Sequence, residues 1–266
     1  MMSPFSLVKI DILLAETSRG VAVSIPAGGS KISRQIVWPA DSPDVPLAAI
    51  VPVVHELCDL VTAELLTHLA RCGEKIHCVA GCNSCCGYVV AATGAEIDFI
   101  VSVLDSLPLE LQDRAKNFWR ELYVELESAG LLPLLDVAAS RDEGWAALGD
   151  FLQERGLQCP LLGPAGRCEI YSARPVTCRE FYSLGPATLC AALDTPRLER
   201  PVSFNDVLVN LEARLGTREA RMWELPTLAR HFSRGESPAV LDGCGPLVPP
   251  EQVAKTFAEL VNLVKS

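Results

Sequence analysis

The chain is short of the features that mark exported, membrane and nucleic-acid-binding proteins. Its 266 residues carry 23 Lys and Arg against 33 Asp and Glu, a formal net charge of -10. A surface with that balance repels phosphate backbones and anionic lipid, which argues against nucleic acid and membranes as partners. Long apolar runs are missing too. The longest uncharged one, residues 45–54, is half the ~20 residues a spanning helix needs, and Pro46 and Pro52 interrupt it. The opening MMSPFSLVKIDILLAE has no basic n-region, no long apolar h-region and no small-residue cleavage site, so no signal peptide is expected. A cytoplasmic, reducing location follows, where cysteines serve as ligands or catalysts more often than as disulfides. Neither a phosphate-binding P-loop, nor G-x-G-x-x-G, nor G-x-S-x-G occurs. The four histidines are dispersed: His55 and His68 stand thirteen apart, His77 abuts Cys78, and His231 is alone.

What is present in quantity is hydrophobic residues, at 49%, enough for a well-buried core in one large domain or one domain with a small appendage. Alternation at residues 8–12, 21–25 and 32–38, with the turn-like AGGS at 27–30, predicts a small antiparallel meander. So few strands rarely stand alone in water, so the meander is expected to pack on something larger. PADSPDVP, residues 39–46, reads as a connector. From there the periodicity is helical. Over residues 52–72, Val54, Cys58, Val61, Leu65, Leu69 and Cys72 fall on one face, and Gly73 marks the stop. A second long helix is predicted over 109–129, and shorter ones over 94–104, 143–154, 204–215 and 251–264. Thr93 and Glu96 fit a capping box at the start of the 94–104 helix, which makes Glu96 a cap rather than an acid catalyst. The expected fold is mainly α: a helical body with irregular cysteine-rich metal-binding loops and a small N-terminal antiparallel β segment. The division is residues 1–46 for the β segment and linker, and 47–266 for the helical domain, with its cysteine core at about 74–185.

Eleven cysteines are an unusual number for such a chain, and they are clustered. Cys58 and Cys72 lie on the apolar stripe and read as small buried hydrophobes. Cys190 and Cys244 are isolated and read as structural. The other seven form two groups. CVAGCNSCC holds Cys78, Cys82, Cys85 and Cys86, spaced C-x3-C-x2-C-C. CPLLGPAGRCEIYSARPVTCREFY, 72 residues further on, holds Cys159, Cys168 and Cys178. Short gaps let a loop wrap an ion so that several sulfurs converge, and the second segment must fold back to complete the shell. Seven thiols in two compact segments predict a metal site with Cys78, Cys82, Cys85, Cys86, Cys159, Cys168 and Cys178 as its ligands. Both zinc and iron–sulfur clusters accept all-cysteine shells. Seven exceeds the four that one zinc or one [4Fe-4S] cluster needs, so either a second ion binds or some thiols are spare.

Four thiolates around a divalent ion leave a charge near -2, costly to bury without donors and cations nearby. Gly81 lets backbone amides approach sulfur, and Arg167, Arg174 and Arg179 flank the second group. Arg174 and Arg179 are the expected cofactor contacts. Metal binding supplies about 10 to 16 kcal/mol in structural zinc peptides, against a domain stability of about 5 to 15, so metal can decide whether such loops are ordered. Tyr171 and Tyr182 read as packing residues, and GCG at 243–245 reads as a turn.

C-x3-C-x2-C is also the spacing by which radical S-adenosylmethionine enzymes hold a [4Fe-4S] cluster. That family places it after the first strand of a (β/α) barrel, with an aromatic residue before the third cysteine. Here Ser84 takes that position, the preceding segment is helical and no strand–helix alternation follows. The two segments together resemble the YkgJ-type cysteine cluster family, described as zinc- or iron-chelating. Its pattern of C-x3-C-x2-C-C, then C-P-x-L, then C-x-I-Y-x-x-R-P-x-x-C-R falls on Cys78, Cys82, Cys85, Cys86, Cys159, Pro160, Leu162, Cys168, Ile170, Tyr171, Arg174, Pro175, Cys178 and Arg179. Flagellin lysine-methylating enzymes look related through the same cysteines, which implies methyl transfer linked to an iron–sulfur cluster and S-adenosylmethionine. Residues outside about 74–185 share nothing with the resemblance.

Three functions follow as expectations. The first is a metal-binding protein with a structural or redox role, serving a protein or redox partner. The second is an oxidoreductase or an S-adenosylmethionine-linked transferase using an iron–sulfur cluster. The third is a zinc-stabilised interaction module without catalysis. The cysteines do not form the paired knuckles of zinc ribbons, which tilts the cofactor toward an iron–sulfur cluster, [4Fe-4S], over Zn2+.

Overall fold

Apolar residues every third or fourth position build the longest helix of the computed structural model, α1 (Val51–Arg71). Pro52 occupies its first turn, where a missing N–H costs nothing. Val54, Cys58, Val61, Leu65 and Leu69 are buried on its inner face. Gly73 ends it at φ +82°, with Gly73 N donating to Ala70 O and Glu74 N to Leu69 O, a Schellman stop. Cys72 does not follow the stripe inward. The helix ends beneath it, leaving its thiol exposed and 3.7 Å from His68 Nε2.

The structure describes residues 11–13, 20–27, 30–37, 45–74, 76–79, 81–134, 142–191, 203–215, 223–224, 228–229, 247–249, 252–253, 255–257 and 259–260. The fold is mainly helical. After α1 come α2 (Gly94–Leu104), α3 (Leu109–Ser128), α4 (Asp142–Glu154), α5 (Val176–Glu180), α6 (Ala187–Ala191) and α7 (Phe204–Leu215). Near the N-terminus, strands β1 (Asp11–Leu13), β2 (Gly20–Ala27) and β3 (Ser30–Val37) pair antiparallel, with Ile12 opposite Val23 and Val23 opposite Arg34. The burial of their side chains lies outside the described residues, as do most of the 39–46 connector, Cys244, His231 and the 243–245 turn. Only parts of the predicted 251–264 helix are described. Two-residue strands β4 (Val45–Pro46) and β5 (Ala91–Ala92) pair with β7 (Leu247–Val248) and β6 (Trp223–Glu224). The C-terminal part of the chain thus returns to the start of α1 and to the entry of α2.

Two apolar cores organise the helices. One gathers the buried face of α1, Phe204, Val207, Leu208 and Leu211 of α7, and Val253, Phe257 and Leu260. The other gathers Ile100 and Leu104 of α2, Ala115, Trp119, Leu122 and Leu126 of α3, and Leu148, Phe151 and Leu152 of α4. The second cysteine segment straddles them: Leu161, Ile170 and Ala173 belong to the α2–α3–α4 core, and Val176 to the α1–α7 core. Among the described residues no helix is long and apolar enough to cross a membrane.

Glutamates join the helices end to end. Thr93 and Glu96 form the expected capping box, and the fully buried Glu96 does more than cap. Its Oε2 accepts from Thr93 N at 2.9 Å while its Oε1 accepts from Val176 N at 2.6 Å, the first amide of α5. Glu212 of α7 accepts from Gly94 N and Ala95 N at the same end of α2. Glu180 accepts from Phe204 N at 2.7 Å, at the start of α7. Free amides and the helix dipole make each N-terminus a place for a carboxylate, so these contacts fix which helix begins where.

Candidate metal centre

Both cysteine segments are built from successive tight turns rather than regular elements. In the first, Cys82 N donates to Val79 O, Cys86 N to Asn83 O and Tyr88 N to Cys85 O. Gly81 sits at φ +89°, a conformation that favours glycine. In the second, Leu162 N donates to Cys159 O, Gly163 N to Arg167 O and Glu169 N to Leu161 O, closing a small bridge between Leu162 and Cys168. Two direct contacts lock the segments together. Cys159 N donates to Cys86 O at 2.7 Å. Gly166, at φ +70°, lies so near Gly81 that a Cβ there would meet Gly81 O at 3.0 Å. The approach is this close because position 166 carries no side chain.

The seven predicted ligands are all free thiols and all partly buried. Cys85 is central: it raises the thiols of Cys78, Cys159 and Cys178, and its neighbour Cys86 raises its own. Its thiol is pushed well above the ordinary range, first by a hydrogen bond with the adjacent Cys86 thiol and then by burial. Burial raises Cys178 strongly, with Cys159 and Cys85 adding to it and Arg174 opposing. Cys159 is pushed up to about 11 by burial, against a backbone hydrogen bond at Leu161. Burial also raises Cys168 and Cys78. Cys78 Sγ accepts from Ser183 N at 3.3 Å, a contact that favours thiolate. Among the described residues no group of three or more His, Cys, Asp or Glu side chains stands in metal-holding geometry. The chemistry of the donor set nevertheless fits a thiolate-held metal: thiols from both segments that act on one another electrostatically, an amide on one of them, and an arginine acting on several.

Residues 77–195 match the family model CxxCxxCC, described as "Putative zinc- or iron-chelating domain". This stretch is similar to that cysteine-cluster domain. It spans less than half the chain and contains all seven predicted ligands and Cys190. No curated protein and no solved structure matches the chain.

Within the matched stretch the two arginines differ. Arg174 lies over the Tyr171 ring at 4.1 Å and acts on Cys85, Cys168 and Cys178. Arg179, only 3% exposed, donates to Asp59 Oδ2 at 2.6 Å and to the carbonyls of Arg174, Tyr171 and Ser172. It pins the turn between Cys168 and Cys178 to α1, and its field reaches Cys168. Arg167 is exposed and contributes its carbonyl to the loop. His77 is exposed as well.

Several side chains depart from the reading of the sequence. Cys190 is not isolated: α6 brings it, buried, close enough to raise Cys78. No short spacing announces it, because the 112-residue separation closes only through the fold. Tyr171 is 55% exposed beneath Arg174 rather than packed inside, whereas Tyr182 packs on the α1–α7 core. Cys58 is buried in that core as a small hydrophobe. His55 is buried, edge-on to Phe99, with Nε2 3.8 Å from Glu96 Oε1.

Proposed function

We propose that the protein is a thiolate metal protein in which Cys78, Cys82, Cys85, Cys86, Cys159, Cys168 and Cys178 hold an iron–sulfur cluster or zinc, with a structural or redox role. The observation that carries this reading is the position of Cys85, whose neighbours come from both segments. Without a cation, burial and crowding disfavour the thiolates of Cys78, Cys85, Cys159, Cys168 and Cys178. A bound metal reverses that preference, because a coordinated thiol is deprotonated outright. Arg174 offsets the remaining charge, and Arg179 and Glu96 hold the turn and helix that present Cys168 and Cys178. A cluster would supply one-electron redox chemistry at this point, and zinc would supply order alone. The same proposal includes a reducing cytoplasmic location, a protein redox partner, and the division into an N-terminal β segment over 1–46 and a helical domain over 47–266.

Anaerobic purification, an absorbance spectrum and elemental analysis for iron, zinc and sulfide test this. Brown protein with matching iron and sulfide is the expected result. Colourless protein with stoichiometric zinc keeps the thiolate site and removes the redox role. Metal-free protein with free thiols overturns the proposal.

A further inference from the structure

The thiol that the α1 stripe leaves unburied meets a second metal donor at the surface. Cys72 caps α1 one turn after His68, and its own backbone stays helical at φ -80° and ψ -1°. Cys72 N donates to His68 O at 3.1 Å, so the i, i+4 register holds through this last turn. That register stacks the two side chains one above the other. Cys72 Sγ stands 3.7 Å from His68 Nε2, with the cysteine exposed and the histidine half-buried. Bonds of about 2.3 Å from a metal to sulfur and about 2.0–2.1 Å to nitrogen, opened at the tetrahedral angle, hold the two donor atoms about 3.6 Å apart. The observed separation therefore suits two donors of one ion with almost no movement. The C-terminal end of a helix carries partial negative charge, which favours a cation there. Arg71, in the same turn, opposes it, but is exposed where water screens its charge. Sulfur with imidazole selects zinc and similar borderline ions over calcium and magnesium, which take oxygen.

We propose that His68 and Cys72 form a metal site of their own, a two-donor chelate for zinc or a similar borderline divalent ion. Its remaining coordination positions stay open to water or to an incoming ligand. The Cys72 thiol gives its proton to solvent as the ion binds. Neither residue belongs to the seven cysteines of the two segments, so this site does not rest on the function proposed above.

Zinc is the probe, added to the full chain by anaerobic equilibrium dialysis, with bound zinc per chain read against free zinc. One zinc is expected to bind with a Kd on the order of 10 µM, weaker than in a closed site because half the donors are missing. Cys72→Ser and His68→Gln should each raise that Kd at least tenfold while keeping the wild-type circular dichroism. Cys72→His restores a donor one turn from His68 and should recover the binding. Thr67→Ala, at an exposed position beside His68, should leave it unchanged. Equal zinc binding in the wild type, Cys72→Ser and His68→Gln overturns the proposal. Loss in only one of these two variants marks a single surface donor rather than a chelate and overturns it as well. Loss in both upholds the site, whatever the cysteine segments hold. Segments that bind no metal overturn the function proposed above and leave this site standing.

Discussion

Helix α1 holds its shape by what it buries, while the cysteine segments hold theirs by what they bond. Along α1 a stripe of aliphatic side chains meets α7 and the C-terminal residues, and many interchangeable contacts share the work. The cysteine segments bury few aliphatic side chains. Single contacts place them: Cys159 N on Cys86 O, Gly166 against Gly81, Arg179 on three carbonyls and Asp59, and Glu96 on Val176 N. Losses in a packed core are spread over its neighbours, whereas losing one of these contacts misplaces a thiol. Substitutions in the two regions are therefore expected to separate stability from metal content.

The largest separation is expected between cysteines. Cys82→Ala, Cys85→Ala or Cys178→Ala removes a proposed ligand, and elemental analysis should find less metal per chain than in the wild type. Cys58→Ala should keep the metal and cost only about 1 kcal/mol in chemical denaturation, the scale for a small cavity. Equal metal in all four variants would break the contrast between the regions.

Glu96→Ala comes next. It strands the amides of Thr93 and Val176 in a buried place, at about 1–3 kcal/mol for each unsatisfied group. Urea denaturation measures that cost. Because Val176 begins the helix that carries Cys178, metal affinity should fall as well, which a core truncation of similar cost, such as Leu69→Ala, should not reproduce.

A glycine pair sharpens the point. Gly130 and Gly166 have nearly the same backbone, φ +72° and +70°, so alanine at either strains the chain by about 1–2 kcal/mol. At Gly130 the space is open, but at Gly166 a Cβ presses on Gly81 O. Gly166→Ala should lose more stability than Gly130→Ala, and only Gly166→Ala should lose metal, read as faster transfer to a chelator.

The smallest effect concerns pH. Burial raises Glu212 to about 7, although the amides of Ala95 and Gly94 oppose it. The folded state therefore binds this proton more tightly than the unfolded chain. The contribution is complete below the ordinary carboxyl range and is lost as pH rises through about 7. Thermal denaturation from pH 5 to pH 8 should show the wild type losing more than Glu212→Gln; parallel curves would remove Glu212 from the account.

By itself the sequence determined the helices and marked out the cysteines. Periodicity located α1, α2, α3, α4 and α7, because a helix face is a property of residues three and four apart. Spacing singled out the seven cysteines, because the short gaps between them are equally local. The capping box of Thr93 and Glu96 was legible for the same reason. Tertiary structure alone decided the rest. It put Cys190 beside Cys78, left Cys72 exposed, gave Glu96 a second helix to begin and turned Arg179 into a clamp on α1. Each of these joins residues far apart in sequence, or depends on which neighbour covers a helix end. Such contacts are set by how two apolar cores pack, and no local pattern of residues encodes them.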